Sequence, residues 1–420
     1  MNLLVLTNLY PPHYVGGYEL HCQLIVEALR SRGHSVRVLT SNHVIEGVPS
    51  QNEQHVSRTL NIHGLFGHPF RNILKLQQLE IHNNRILRAE IEKSRPELVF
   101  IWAFAGLSKS MLHTLQRLGI PTVFAVCDHW IARSNEADVW LHWWQRRDGS
   151  LAQKCLRSFW ELTGTRKRLD KIAPTTPIQE FKFQRLYFCS KALRTFTQNA
   201  GYPVSHGAVI YCPIDITKFS GVVKKASQPI QKLLYAGRLH EDKGVFTALK
   251  ALALIRNKFA GELNIYGAGH PDFVTKLRSF AEEWKLPVKF HPLFDPGDMP
   301  DVYRAHDALL FTSEWAEPFA LTPLEAMASG LPVIGTTTGG SVELFRNKEN
   351  SLTYTAGSAE DLAQRILELD SNPILRERIA RTGHEEVRAN YAAPYIIEQV
   401  ENYLHETLVK KKPSLSEVPA

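Results

Sequence analysis

Two carboxylates with seven residues between them stand in the run Glu317-Pro-Phe-Ala-Leu-Thr-Pro-Leu-Glu325-Ala-Met-Ala-Ser-Gly330. A strand-like run, Ala308-Leu-Leu-Phe-Thr312, leads into it, and Pro332-Val-Ile-Gly335 follows. Thr322 reads as an N-cap, Pro323 as the first helical residue and Gly330 as the C-cap. The spacing predicts strand, loop, short helix, strand, with Glu317 on the loop and Glu325 in the first helical turn. The N-terminus of a helix offers unpaired N–H groups and a partial positive charge, a seat for phosphate. Carboxylates beside it accept hydrogen bonds from hydroxyls. A ligand bearing both phosphates and sugar hydroxyls would use both. Thr322-x-x-Glu325 is equally a capping box, in which the glutamate serves the helix alone.

Upstream, Gly237-Arg238-Leu-His-Glu-Asp-Lys243-Gly244 separates a strand, Lys232 to Ala236, from a helix beginning at Val245. Cations at a helix N-terminus repel its dipole, and a bound diphosphate would reverse that sign. An ion pair with Glu241 or Asp242 is the structural alternative. Near the start, Gly16 and Gly17 close a Pro-rich loop between a strand and a helix, permitting close backbone approach. The G-x-G-x-x-G spacing of dinucleotide binders is missing, which disfavours an oxidoreductase. Gly267-Ala-Gly269 is another glycine turn after a strand. Cys127-Asp128-His129 follows the strand Thr122 to Val126, at the strand end where α/β sheets bind ligands.

The elements that must position these residues alternate along the whole chain. Continuous apolar strands such as Asn2 to Thr7 and Leu98 to Trp102 alternate with helices such as Asn72 to Lys93, which predicts doubly wound parallel sheets. A length of 420 residues suits two domains. We expect an N-terminal domain over 1–205, a second over 206–395, a crossing helix over 396–411 and a disordered tail over 412–420. The segment 130–172 is an insertion gathering Trp130, Trp140, Trp143, Trp144 and Trp160 with Arg146, Arg147, Lys154, Arg157, Arg166, Lys167, Arg168 and Lys171. It reads as a helical insertion with a buried aromatic side and a solvated basic side, as an acceptor site, or as contact with an anionic membrane surface. No nucleic-acid motif accompanies it. The net charge of +7 favours an anionic partner. The five cysteines form no framework, which fits reduced thiols in a cytoplasm and disfavours structural zinc. No apolar run reaches the ~18–20 residues of a membrane span.

Together the Glu-x7-Glu run, Gly-Arg-x4-Lys-Gly, Pro-Pro…Gly-Gly-x-Glu and Thr337-Thr-Gly339-Gly340-Ser-Val-Glu343 resemble the retaining family-4 glycosyltransferases. The resemblance implies the GT-B fold, two Rossmann-like domains facing across a cleft. It implies a sugar moved from a nucleoside-diphosphate donor to a glycan, lipid-linked or small-molecule acceptor. An epimerase or hydrolase of the same fold, or a non-catalytic binder, is the alternative. The donor-binding residues it implies are Gly16, Gly17, Arg238, Lys243, Gly267, Leu293, Glu317, Phe319, Ala320, Leu321 and Glu325. Glu317, Asp128 and His129 are the candidate catalytic residues. The family's usual His-Asp is altered here, with Cys127 at the His position, Asp128 in place and His129 one residue on. No Asp-x-Asp motif is present, so no metal or other cofactor is expected.

Overall fold

The structure, a computed structural model, describes residues 1–49, 53–63, 72–134, 138–145, 149–224, 228–291 and 296–409. The chain divides into two compact units. Unit 1 comprises Met1–Cys189, Leu193–Ile210 and the chain from Ile397; unit 2 comprises Ser190–Ala192 and Tyr211–Ile396.

Unit 1 is built on seven parallel strands in the order β3-β2-β1-β4-β5-β6-β7. They are β1 (Asn2–Leu6), β2 (Ser35–Ser41), β3 (Val56–Leu60), β4 (Leu98–Ile101), β5 (Thr122–Val126), β6 (Leu186–Phe188) and β7 (Ala208–Val209). The central strands are buried along their length, with Leu3–Leu6 and Leu98–Ile101 fully inaccessible. Helices on both faces of a parallel sheet produce this pattern, which is why these runs are apolar without alternation. The helix Ile73–Ser94 starts where Asn72 accepts from the N–H of Leu74 at 2.9 Å. The insertion folds as helices Val139–Gln145, Leu151–Leu162 and Thr165–Ile172, with Trp140, Trp143, Trp144 and Trp160 buried together. Arg146 and Arg147 lie outside the described residues.

Unit 2 repeats the plan with six parallel strands ordered β10-β9-β8-β11-β12-β13. They are β8 (Lys232–Ala236), β9 (Glu262–Tyr266), β10 (Val288–His291), β11 (Ala308–Phe311), β12 (Val333–Thr336) and β13 (Leu352–Tyr354). Its core draws Leu233, Tyr235, Leu249, Leu252, Ile265, Leu310 and Ile334 from the sheet and from the helix Val245–Ile255. In both units the strand order reverses direction between the first and fourth strands of the sheet. The loops leaving those neighbours diverge and open a crevice at the carboxyl ends, where ligands bind in such sheets. In unit 2 this switch point lies between β8 and β11.

The final helix, Ala393–Val409, is divided between the units at Ile397. Before it, Ile214 N–H bonds Tyr391 O at 2.8 Å in unit 2. Farther on, Tyr403 Oη donates to Leu186 O at 2.8 Å and His34 Nε2 lies 2.6 Å from Glu401, both within unit 1. The expected tail, 412–420, lies outside the described residues.

Candidate functional site

The loops after β8 and β11 are stitched to each other through backbone. Glu314 N–H donates to Asp242 O at 2.8 Å, and Thr312 Oγ1 donates to Lys243 O at 2.7 Å. Gly244 adopts φ +64°, and a Cβ there would come within 1.9 Å of Thr312 O. Only glycine permits both that conformation and that approach. The stitching sets Lys243 against Glu317: Nζ and Oε1 are 2.5 Å apart, and both side chains are largely shielded from solvent. Ser313 Oγ donates to the same carboxylate oxygen at 2.8 Å, and the ammonium lies 4.9 Å from the centre of the Trp315 ring. Lys243 thus pairs neither with Glu241 nor with Asp242 but with the carboxylate singled out from the sequence. Arg238 is exposed on the loop leaving β8, where Tyr235 Oη holds its carbonyl at 2.8 Å.

The helix after Glu317 spans Leu321–Ala328, with Ala320 at the N-cap and no side-chain cap. The expected Thr322 cap is therefore corrected. The chain turns helical at Leu321, so Thr322 lies inside the first turn and its hydroxyl cannot serve as the cap. The capping box dissolves with it. Glu325 instead accepts a 2.7 Å hydrogen bond from Tyr303 Oη. Burial, and then the Glu325 charge, push the Tyr303 phenol well above its usual range, so it stays a donor. Phe319 and Ala320 are buried at the helix entrance and Leu321 is half-buried. Gly340 N–H donates to Glu317 O at 2.7 Å, so the Gly339-Gly340 turn supports the Glu317 loop from beneath. Gly267 packs backbone on backbone, since a Cβ would lie 1.9 Å from Gly237 O. Its role in this structure is to let the loop after β8 approach. Leu293 lies outside the described residues.

Unit 1 gathers a second set. Gly16 precedes the helix Gly17–Ser31 in ordinary extended backbone, and a Cβ there would meet nothing closer than Glu19 Oε2 at 3.7 Å. Neither fold nor crowding demands glycine at this turn, so its missing side chain leaves open space. Glu19 accepts from Gly16 N–H at 3.0 Å and is buried. Asp128 accepts from Trp130 N–H at 3.0 Å. Burial, aided by the Glu19 charge and opposed by that N–H, raises its carboxyl to about 6. Lys109 is the cation nearby that sequence reasoning missed. It is buried, bonds the carbonyls of Phe104 and Leu107 at 2.9 and 3.2 Å, and has its pKa lowered by burial. His129 is buried, at 7% exposure, with its ring edge-on to Phe196 at 4.5 Å. Asp128 thus feels the charge of Glu19, while His129 packs on Phe196. Asp128 and His129 both lie in the bend beyond β5, which ends at Val126, so strand alternation does not set their directions.

Two family descriptions divide the chain: Glycosyltransferase Family 4 matches residues 15–218 and Glycosyl transferases group 1 matches residues 222–386. The chain belongs to the group 1, family-4-like glycosyltransferases. It is 30% identical to spore coat protein SA of Bacillus subtilis over 40% of this chain and 47% of that protein. It is 22% identical to an uncharacterized glycosyltransferase of Methanocaldococcus jannaschii over 96% of this chain and 97% of the relative. The chain spans about half the length of several curated relatives it matches. Among solved structures, Anabaena HepE in complex with UDP and glucose superposes with a TM-score of 0.66 at 20% identity, covering 96% of this chain and 99% of that one. This glycosyltransferase chain has the GT-B fold, two Rossmann-like α/β domains, as its two parallel sheets and these neighbours agree. Arg238, Lys243, Glu317 and Glu325 all fall within the stretch matched by the group 1 family, and Asp128 within the family-4 stretch.

Proposed function

We propose that this chain transfers a sugar from a nucleoside-diphosphate donor, with retention at the anomeric carbon, to a glycan, lipid-linked or small-molecule acceptor. The observation that carries the reading is the Lys243–Glu317 pair, 2.5 Å apart at the switch point of unit 2, beside a helix entrance with no side-chain cap. That arrangement suits a pyrophosphate. Lys243 would leave Glu317 for the phosphates, joined by Arg238 and the N–H groups of Phe319 to Leu321. Glu317, released, would accept from hydroxyls of the donor sugar. Glu325, oriented by Tyr303, would accept from the ribose. Breaking the bond to the leaving diphosphate develops negative charge, and fixed donors aimed at it supply the main electrostatic stabilisation. In unit 1, Asp128 and the open turn at Gly16 and Gly17 would serve the acceptor side. HepE, solved with UDP and glucose, supports a donor of this class.

Because cationic side chains and helix N–H groups meet the phosphate charge, turnover is expected to survive EDTA. The test is a screen of UDP-, GDP- and ADP-sugars, scored by nucleotide release with and without glycan or lipid extract, and by NMR of the product's anomeric proton. Acceptor-dependent release with retained configuration supports the proposal. Equal release without acceptor would replace it with a hydrolase, and an inverted product would remove the retaining assignment.

A further inference from the structure

The helix Leu151–Leu162 in unit 1 presents its apolar side to solvent. It is well formed: Ser150 caps it, accepting from Gln153 N–H at 3.3 Å. Trp160 alone of its residues is buried, packed 5.4 Å from Trp143 and 5.7 Å from Trp144. On the other side, Leu151, Ala152, Cys155, Phe159 and Leu162 are exposed, with Leu151 at 82%, Phe159 at 59% and Leu162 at 88%. At 3.6 residues per turn these five positions share about 100° of arc, one continuous stripe. An amphipathic helix in a globular protein buries that stripe. Here the core is served by the tryptophan on the opposite face, and the stripe has no partner in the described chain.

The charge around the stripe says what covers it. Between Gly149 and Ile172 the chain carries six basic and two acidic residues. Both acids are already engaged, Glu161 with Arg166 at 2.6 Å and Asp170 with Arg117 at 2.7 Å. Lys154 borders the stripe, and Lys167, Arg168 and Lys171 are exposed on the next helix, Thr165–Ile172. Two copies meeting through this face would oppose like charges. An apolar stripe rimmed by lysine and arginine instead matches a bilayer surface, where acyl chains take the apolar side chains and headgroup phosphates take the cations. We propose that the Leu151–Leu162 face docks on an anionic lipid bilayer, with Leu151, Phe159 and Leu162 at the headgroup–acyl boundary. This would hold the unit that carries Asp128 beside substrates lying in the membrane surface, and it does not depend on the donor reading.

The full chain provides its own reporter. Cys155 lies in the stripe and is the one cysteine the fold leaves exposed. A polarity-sensitive fluorophore attached there should shift to the blue with vesicles of phosphatidylcholine plus phosphatidylglycerol, and not with phosphatidylcholine alone. Flotation should show binding to the same vesicles, reversed by high salt. Phe159→Glu combined with Leu162→Glu should lower partitioning at least about tenfold, as should Lys167→Glu combined with Arg168→Glu. Circular dichroism and melting should match the parent, because these side chains face solvent. If the apolar pair does not fold, the charge pair and the fluorophore still decide. A folded parent that ignores anionic vesicles overturns the proposal, and so do variants that bind undiminished. A parent that is dimeric in light scattering, with the Phe159→Glu, Leu162→Glu variant monomeric and no vesicle binding, would assign the face to a second copy instead.

Discussion

At the scale of single residues, Lys243 and Glu317 are each other's counter-ion, and the two sides of the pair respond differently to substitution. Lys243→Ala would remove the proposed phosphate contact and leave a shielded carboxylate with Ser313 as support, so nucleoside-diphosphate affinity should fall about a hundredfold or more. Glu317→Gln frees the ammonium and would remove a negative charge from beside the proposed phosphate site. Calorimetry should find nucleoside-diphosphate affinity kept or improved, while steady-state turnover falls at least about a hundredfold. A loss of both would mean that Glu317 holds the loop rather than the sugar. Asp128 makes a separate prediction. Its carboxyl is raised from 3.8 to about 6, chiefly by burial. Between those values the folded protein holds a proton that the unfolded chain has lost. Stability therefore falls as pH rises through this window, and the penalty stays constant above it. Asp128→Asn should stabilise the protein by about 1–3 kcal/mol at pH ~7.5 and have little effect below pH ~4, read from melts at the two pH values.

At the scale of elements, the site depends on loops that touch through backbone. A Cβ on Gly340 would lie 2.2 Å from Pro318 O, while its N–H holds Glu317 O at 2.7 Å. Gly340→Ala should push the Glu317 loop away. We expect a loss of about 1–3 kcal/mol in stability and about tenfold or more in donor affinity, measured by melting and calorimetry. Much of this element was legible in the sequence, because Glu317, the Leu321–Ala328 helix and the following strand are contiguous and their signals are local. The helix start was misjudged at Thr322 because a threonine before Pro323 is a strong cap signal, and the loop geometry overrode it. Tyr303, which orients Glu325 from 22 positions upstream, left no local trace. Neither did the burial of Lys109, nor the packing of His129 against Phe196. Such contacts are products of tertiary folding, and spacing along one helix or strand does not encode them.

At the scale of the molecule, the parallel sheets were readable because strands covered on both faces lose the alternation of polar and apolar residues, as Leu3–Leu6 and Leu98–Ile101 do. The strand order was not, since register and neighbour choice follow from long-range packing. The one feature with global reach is charge. With a net charge of +7, association with an anionic nucleotide is steered over distances comparable to the Debye length, about 10 Å at 0.1 M salt. Stopped-flow measurement should show the association rate falling several-fold between about 0.05 and 0.3 M salt, with a smaller change in the dissociation rate. An association rate indifferent to salt would restrict the effect of charge to direct contacts.

If the pair takes a pyrophosphate as proposed, the short bridge from Nζ to the carboxylate would also act as a filter. A free phosphate or sulfate ion that reaches the lysine must evict a tethered rival present at high local concentration, and it brings nothing for the displaced glutamate to hold. A molecule that joins a pyrophosphate to a polyol supplies new partners to both groups at once. Under the proposed function, discrimination against the abundant simple anions around the protein would thus begin before any sugar is recognised.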